Sequence, residues 1–359
     1  MIRVTKCTNT TRIQAVIIRL AAVVIALVVS ALFILMQNHN PLDVYISMIT
    51  GAWGKWSMLK ATIVDTIPLI ITSLGVAIAF KMKFWNIGAE GQAIMGAFFA
   101  NLMVVQFPGL PGPLTIFLMF IAGIVGGALW AFPPAFFKAK YGANETLFTL
   151  MMNYIAMRWI KYLASGPWKD PKANGQNRIA ILPENTKLPE LFDVHVGWII
   201  ALALAVMVYI FLNKTKKGYE IAVIGESENT ARYAGMNVRQ VVISAVMLSG
   251  ALAGLMGMIQ LSAVSGQLTS DIAGGVGFTA ITVAWLAQLS APGIILVSFL
   301  FSTLEQGISY IQSDFNIPLA SAKVLQALIL FFVLGSEFFI QYRVSFKKNM
   351  TSTVGKEGK

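Results

Sequence analysis

The chain consists of long apolar runs separated by shorter polar connections. Ten runs are long enough for a helix to cross the hydrocarbon core of a bilayer, which takes about 20 residues. They cover approximately residues 13–36, 62–80, 86–106, 113–137, 143–163, 194–213, 240–262, 272–289, 291–311 and 322–342. The pattern predicts an all-α, polytopic transmembrane protein with about ten spans.

Three runs have features of their own. The first is too long for the core of a cleaved signal peptide and is followed by no A-x-A site, so we expect a retained span. Only Ser290 separates 272–289 from 291–311, so Pro292-Gly293 must make that turn. Gly274, Gly275 and Gly277 interrupt the start of 272–289, which predicts a locally unwound or hinged segment there.

Composition supports a membrane location. Hydrophobic residues make up 57% of the chain and charged residues 12%, whereas a soluble domain carries about 25% charged residues. The mean hydropathy of +0.71 agrees. These values exclude a soluble globular protein, and lipid is the expected solvent for most of the chain.

The basic residues predict the orientation of the spans. About 17 of the 27 Lys and Arg lie in tails and connections that share one side, so the positive-inside rule places both termini in the cytoplasm. The same rule explains the net charge of +11 without a nucleic-acid partner. The predicted organisation is a tail at 1–12, a transmembrane domain at 13–342 and a basic tail at 343–359. Six of the remaining positive charges lie near the longest outer loop: Arg158, Lys161, Lys169, Lys172, Arg178 and Lys187.

Two connections differ from the rest. The outer loop at 164–193 is rich in proline and turn residues, and loops of this length are usually functional or disordered. The inner loop at 213–240 contains a predicted short helix, since Ser227 suits an N-cap, Glu228 its first turn and Gly235 its end. Two turns of helix are too short to be stable alone in water, so we expect this helix to pack against its own domain or a partner protein.

Several catalytic and ligand-binding motifs are missing from the sequence. It contains no G-x-x-x-x-G-K-[ST] phosphate-binding loop and no H-E-x-x-H zinc motif. The single cysteine, Cys7, excludes a disulfide within the chain. We therefore expect no catalytic residue, no metal site and no cofactor bound by this chain.

The sharpest local feature is a polar group at the start of the run at 86–106. Asn86 and Glu90 are four residues apart, hence on one helical face, and Gln92 lies close by. A carboxylate at the centre of a span costs roughly 2.5–3.5 kcal/mol, which favours a functional placement. The alternative is that Glu90 stays at the interface and pairs with Lys81 or Lys83.

A second polar group belongs to the run at 143–163. Asn144 suits an N-cap and Glu145 a first helical turn, whereas Asn153 falls well inside the span and needs a partner. Asn153 would either join helices or line a pathway. Together the two groups give six predicted pathway or gate residues: Asn86, Glu90, Gln92, Asn144, Glu145 and Asn153.

Small residues at helical spacing allow two interpretations. Gly123 and Gly127, and Gly250, Gly254 and Gly257, let helices approach closely, either inside one subunit or between subunits. In addition, GQAIMGAFFA (91–100) and FTAITVAWLA (278–287) share four small or aliphatic residues at the same offsets. This match is either a trace of duplicated halves, which are common in transporters, or chance.

Three segments carry a family resemblance. FWNIGAEGQ (84–92), GANETLFTLMMNYIA (142–156) and GESENTARYAGMNV with the following LSGALAGLMG (225–257) resemble the permease family of bacterial ABC importers for nucleosides. That family belongs to a larger group that includes ribose and branched-chain amino acid permeases. The resemblance covers about residues 60–340, so residues 13–342 would be a permease domain in a bacterial plasma (inner) membrane.

The resemblance implies partners and assigns a role to each long loop. The partners would be a cytoplasmic ABC ATPase that uses ATP and Mg²⁺, a second permease subunit in a heterodimer, and an extracytoplasmic substrate-binding lipoprotein or periplasmic protein. The outer loop would receive the binding protein through Trp168, Lys169, Asp170 and Arg178. The inner loop would contact the ATPase through a coupling helix formed by Glu226, Ser227, Glu228, Asn229, Thr230, Ala231, Arg232, Tyr233, Ala234 and Gly235.

The resemblance thus favours a subunit that imports nucleosides or purine-like solutes with energy from a separate ATPase. One alternative keeps the architecture but changes the solute to a sugar or a branched-chain amino acid. Another is a secondary transporter or channel without an ATPase. The absence of a buried Asp/Glu/His relay, and a capped inner helix with no evident partner in the chain, argue against that one. An intramembrane enzyme is a further alternative, disfavoured by the missing motifs.

Overall fold

The computed structural model describes residues 2–6, 12–172 and 175–346. Within these ranges the chain forms thirteen α-helices and four short strands. The helices are α1 (Arg12–Met36), α2 (Pro41–Trp53), α3 (Trp56–Lys81), α4 (Ala89–Gln106), α5 (Gly112–Tyr141), α6 (Glu145–Ser165), α7 (Gly197–Lys214), α8 (Lys216–Glu226), α9 (Glu228–Tyr233), α10 (Val238–Ile259), α11 (Val276–Leu286), α12 (Ala291–Asp314) and α13 (Leu319–Gln341). The strands are β1 (Ile2–Lys6), β2 (Glu190–Leu191), β3 (Val194–His195) and β4 (Tyr342–Phe346).

Ten of these helices correspond to the ten predicted runs, which confirms a polytopic helical protein. Seven described helices are long and apolar enough to cross a membrane: α1, α3, α5, α7, α10 with its π-helical extension Gln260–Ser265, α12 and α13. Helices α4 and α6 have 18 and 21 residues but a more polar composition.

Helix α11 corrects one prediction. The run at 272–289 was expected to be a full span, but α11 has only 11 residues. At 1.5 Å per residue it is about 16 Å long, roughly half of a 30 Å hydrocarbon core. Residues 270–275 before it form turns, and Gly274 and Gly275 have φ of 58° and 81°. The locally unwound segment is therefore confirmed, and it shortens the helix.

Contacts between Cα atoms divide the chain into two units. The first comprises residues 1–51 and 304–359. In it α1 packs along α13, and Arg19 of α1 forms an ion pair with Glu337 of α13 at 2.7 Å. Strands β1 and β4 pair antiparallel, with Ile2 opposite Phe346. This pairing brings the two ends of the described chain next to each other.

The second unit comprises residues 52–303 and is built around α10, which packs against α3, α4 and α5. Glycines make these approaches possible. A Cβ on Gly127 would overlap the Gly250 carbonyl oxygen, and one on Gly257 would overlap the Ala93 carbonyl oxygen. Packing within one subunit, one of the two interpretations of the glycine pattern, is therefore confirmed for these residues.

Candidate functional site

Asn86 is the hub of a buried polar cluster just before α4. Its Nδ2 donates hydrogen bonds to Gln92 Oε1 and to Ser249 Oγ of α10, both at 3.1 Å. Its Oδ1 accepts hydrogen bonds from Gly88 N–H at 3.0 Å and from Gln92 Nε2 at 3.2 Å. Because an unsatisfied polar group is costly in the interior, these bonds fix how the chain enters α4 beside α10.

Glu90, in the first turn of α4, binds the start of α11. Its Oε1 accepts a hydrogen bond from Gly275 N–H and its Oε2 one from Gly277 N–H, both at 2.8 Å. Neither α4 nor α11 has a side-chain N-cap of its own. The carboxylate therefore caps α11 from a neighbouring helix, and it lies where the dipoles of both helices favour a negative charge. The alternative in which Glu90 pairs with Lys81 or Lys83 is wrong.

Asn153 joins α6 to the same region. Its Oδ1 accepts a hydrogen bond from Gly91 N–H at 2.8 Å, and its Nδ2 donates one to the Ile87 carbonyl at 2.9 Å. One turn earlier, Thr149 Oγ1 accepts a hydrogen bond from Ile87 N–H at 3.2 Å. Asn153, for which the sequence predicted a partner, thus bonds to two backbone groups in and just before α4.

We call Asn86, Glu90, Gln92 and Asn153 the α4 cluster. All four are buried to 99% or more, and their hydrogen bonds run within the chain. The structure thus gathers four of the six predicted pathway residues. It shows them as a joint between α4, α6, α10 and α11; contact with a solute stays a prediction.

The other two predicted pathway residues lie elsewhere, where α5 leads into α6. Asn144 caps α6 as expected, accepting a hydrogen bond from Leu147 N–H at 3.1 Å. Glu145 is mostly buried and forms an ion pair with Lys138 at 2.7 Å. This pair closes the turn between two helices.

The inner loop contains the predicted short helix, α9. Ser227 Oγ accepts a hydrogen bond from Thr230 N–H at 3.2 Å, which confirms the N-cap. At the other end, Met236 N–H donates to the Ala231 carbonyl and Gly235 N–H to the Arg232 carbonyl, with Gly235 at φ 76°. Both backbone bonds together form a Schellman motif, which explains the glycine.

One side of α9 faces the chain and the other faces outward. Ala231 is completely buried where α9 packs on α8 and α10, so the expectation that this helix lacks a partner in the chain is wrong. Arg232 forms an i,i+4 ion pair with Glu228 at 2.6 Å, and Tyr233 is 93% exposed. Tyr233 and the Glu228–Arg232 pair therefore form the outward face of α9.

Helix α8, which precedes α9, was missed. Its N-cap is Thr215, whose Oγ1 accepts a hydrogen bond from Gly218 N–H, and the helix buries Ile221 and Ile224. Gly225 lies so close to α3 that a Cβ there would overlap the Lys81 carbonyl oxygen. The apolar spacing of Ile221 and Ile224 was a usable signal, but the charges and glycines around it favoured a loop.

The outer loop is folded over much of its described length. Trp168 stacks on Phe98 of α4, with ring centroids 5.3 Å apart. Asp170 and Arg178 form an ion pair at 3.4 Å, and Lys169 is exposed. Of the four residues predicted to receive a binding protein, two therefore pair with each other and one packs on the helices. Docking by this loop is neither supported nor contradicted by these contacts.

Sequence reasoning also missed one face of α6. Tyr154, Arg158, Trp159 and Tyr162, which we call the α6 stripe, are spaced to lie on one face. Together with Ile155 they border a shallow cavity of about 550 Å³. Arg158 was counted only as charge near the outer loop, but it lies inside α6. Because aromatic residues count as apolar in a hydropathy pattern, the stripe gave no separate signal.

The seven described helices able to cross a membrane, with the shorter helices packed among them, define a polytopic membrane protein. Comparison with known sequences identifies the family. Residues 58–334 match the family described as branched-chain amino acid transport system, permease component. The chain belongs to this family, and it is a multi-pass permease of the plasma membrane.

Three relatives are similar over nearly their whole length. A glucose ABC transporter permease protein of Haloferax volcanii, TsgB13, is 33% identical, over 90% of this chain and 88% of the relative. A guanosine ABC transporter permease protein of Bacillus subtilis, NupP, is 31% identical, over 90% and 94%. A nucleoside ABC transporter permease protein of Lactococcus lactis, NupB, is 30% identical, over 89% and 91%.

Proposed function

We propose that this permease is the membrane-spanning subunit of an ATP-driven importer of nucleosides, with purine nucleosides as the preferred solutes. It would work beside a second permease subunit, with ATP and Mg²⁺ used by a cytoplasmic ATPase. An extracytoplasmic binding protein would deliver the solute, and the outer loop with Lys169 exposed is our candidate for its docking surface.

The observation that carries the ATP-driven mechanism is helix α9. It is ordered by its own caps, held by the buried Ala231, and presents Arg232 and Tyr233 outward. A rigid exposed helix on the cytoplasmic side suits docking on an ATPase, which would then move α8 and α10 through it. Two relatives that the chain matches at 31% and 30% identity are named for guanosine and nucleoside transport, which supports the choice of solute.

A second candidate solute is a sugar, because the glucose permease relative is 33% identical to this chain. The architecture is the same for both solutes, so the fold does not distinguish a sugar from a nucleoside. A competition assay distinguishes the two solutes. The complete transporter with its binding protein should import radiolabelled guanosine, and excess unlabelled glucose should not reduce this uptake. Competition by glucose but not by guanosine would assign the sugar.

The coupling role of α9 is tested by Arg232→Glu in the complete transporter. We expect the variant to reach the membrane and to lose solute-stimulated ATP hydrolysis and uptake. An interface hot spot of about 2 kcal/mol corresponds to roughly a thirtyfold loss of affinity for the ATPase.

Two controls separate docking from local unfolding. Glu228→Gln removes the ion pair on α9 but leaves Arg232 in place, and Tyr219→Ala removes an exposed ring from the neighbouring α8. Both should keep more than half of the uptake. If Arg232→Glu transports normally and retains the ATPase on purification, α9 is not the coupling element.

A further inference from the structure

The α6 stripe differs from the outward faces of the neighbouring helices. On α5, Phe117, Ile121, Val125 and Leu129 are exposed, and α7 likewise exposes apolar side chains such as Val206. These faces suit contact with lipid tails. Helix α6 also exposes apolar side chains, Leu147, Met151 and Ile155, but the same face adds the phenols of Tyr154 and Tyr162, exposed by 62% and 58%, and the guanidinium of Arg158.

Arg158 lies well within α6. It is seven residues before the helix ends at Ser165, or about 10 Å at 1.5 Å per residue. A charged side chain in a transmembrane segment is costly in lipid and normally faces a protein interior or a water-filled cavity.

Arg158 also lacks a partner among the residues that the structure describes, where no carboxylate lies within ion-pair distance of its guanidinium. By contrast, Arg19 of α1 forms an ion pair with Glu337. The donors of Arg158 are therefore available to a molecule from outside the chain.

Contacts with α4 and the residues just before it fix the orientation of the α6 stripe. Asn153, next to Tyr154 in sequence, is held on the α4 side by its two hydrogen bonds. Trp159 packs edge-on against Phe98, with ring centroids 6.1 Å apart, and lies 5.8 Å from the Tyr162 ring. Two of the three rings, Trp159 and Tyr162, are thus held by ring contacts, which is how a binding surface keeps its geometry.

We propose that the α6 stripe lines the solute path and contacts the nucleobase of a passing nucleoside. This inference rests on the proposed function for its solute. Tyr154, Trp159 and Tyr162 offer ring faces on which a base stacks, as single-stranded bases do on aromatic side chains. Arg158 offers a planar pair of donors that matches the O6 and N7 acceptors of guanine and mismatches the N6 donor of adenine.

Cysteine accessibility tests whether the stripe lines an aqueous path. The chain has one cysteine, so Cys7→Ser gives a cysteine-free background. Tyr154→Cys, Arg158→Cys and Tyr162→Cys are compared with Val125→Cys and Leu129→Cys on the exposed apolar face of α5, each in the complete transporter. The probe is a charged, membrane-impermeant methanethiosulfonate.

We expect the α6 cysteines to react at least about tenfold faster than the α5 cysteines, because thiolates form in water and not in lipid. Guanosine delivered by the binding protein should slow the reaction. Equal, slow reaction of all five positions would overturn the proposal, and so would reaction that becomes fast only when the second permease is omitted, since that result marks a subunit contact. Fast reaction with protection by glucose instead of guanosine would overturn the nucleoside while leaving the aqueous path in place.

Selectivity tests the role of Arg158. Arg158→Gln should lower guanosine uptake by roughly tenfold or more and adenosine uptake by less than about threefold, because only guanine uses both donors. Arg158→Lys should fall between Arg158→Gln and the unaltered chain, and Val125→Ala should leave both rates unchanged. Equal losses for both nucleosides, or loss of the second permease on co-purification, would contradict base recognition.

Discussion

The α4 cluster and the α6 stripe are both polar groups inside spans, and they share helix α6, yet their surroundings are opposite. Asn153 has both ends of its amide bonded within the chain. Arg158, five residues later, has no ion pair or hydrogen bond to any residue that the structure describes. The face of α6 that contains Asn153 therefore stabilises the fold, whereas the face that contains Arg158 has polar groups without a partner among the described residues.

This difference changes how an intramembrane polar residue is interpreted. The cost of burying polarity in a membrane is equally large for a structural joint and for a solute path. The two cases differ in the hydrogen-bond partners of the side chain. A side chain whose hydrogen bonds are all made within the chain has no donor or acceptor left for a solute. The predictions below test that distinction, in order of decreasing effect.

The largest effect is expected at Glu90. Glu90→Ala leaves the N–H groups of Gly275 and Gly277 without acceptors, at about 1–3 kcal/mol each. Little folded transporter should reach the membrane, as measured by size-exclusion chromatography in detergent. Glu90→Gln keeps one acceptor and should be milder. A monodisperse Glu90→Ala variant with unchanged thermal stability would show that the α4 cluster does not hold the fold.

The glycine contact between α4 and α10 should be nearly as sensitive. Gly257→Ala already displaces the Ala93 backbone, because the added Cβ would overlap the Ala93 carbonyl oxygen, and overpacking of this kind typically costs about 1–3 kcal/mol. The apparent melting temperature in detergent should fall. Gly335→Ala in α13 is the matched control, since nothing lies within 4 Å of the position of its added Cβ. Equal melting temperatures for both variants would contradict the close approach of α4 and α10.

A pair of variants on α6 compares the two regions directly. Asn153→Ala removes both hydrogen bonds to the α4 side and should lower the melting temperature, with a loss of about 0.6–1.7 kcal/mol in folding free energy. Arg158→Ala should leave the melting temperature unchanged while impairing uptake. If Arg158→Ala is the less stable of the two, the assignment of the two faces is reversed.

His195 in β3 is a third case, buried yet without a hydrogen bond to the described residues at either ring nitrogen. Burial lowers the pKa of His195, and the charge of Glu190 opposes this. The unfolded chain, with a pKa near 6.5, then binds a proton more readily than the folded chain.

Stability from His195 should thus be present above about pH 6.5 and decline as the pH falls below it, by at most about 1.4 kcal/mol per pH unit. The His195→Gln variant should show a flatter dependence of melting temperature between pH 7.5 and 5.5. Parallel curves for the two proteins would rule out this contribution.

Much of the fold could be predicted from apolar run length and cap residues. The ten helices that match the predicted runs, the N-caps Asn144 and Ser227, and the turn around Gly274 and Gly275 all depend on local sequence. The error at 272–289 arose because hydropathy does not distinguish a full span from a short apolar helix that is preceded by apolar residues in turns. Helices α2 and α8 are short, and a hydropathy pattern has little contrast over 11 to 13 residues.

The partners in the site could not have been found in the same way. Glu90 binds groups 185 and 187 residues away, and these groups are backbone N–H, which every residue except proline carries. Asn153 likewise bonds backbone near Gly91. The sequence shows that such side chains need partners, but which backbone lies within reach is decided by how α4, α6 and α11 pack.

Helix α9 has a consequence for the kinetics of assembly. Its six residues are ordered by the Ser227 cap, the Schellman turn at Gly235 and the ion pair between Glu228 and Arg232. Fixing a free backbone costs about 1–2 kcal/mol per residue, and here that entropy is lost when the permease folds. A partner that docks on α9 meets a preorganised surface, so we expect association to follow diffusion and charge, without a slow step of local folding.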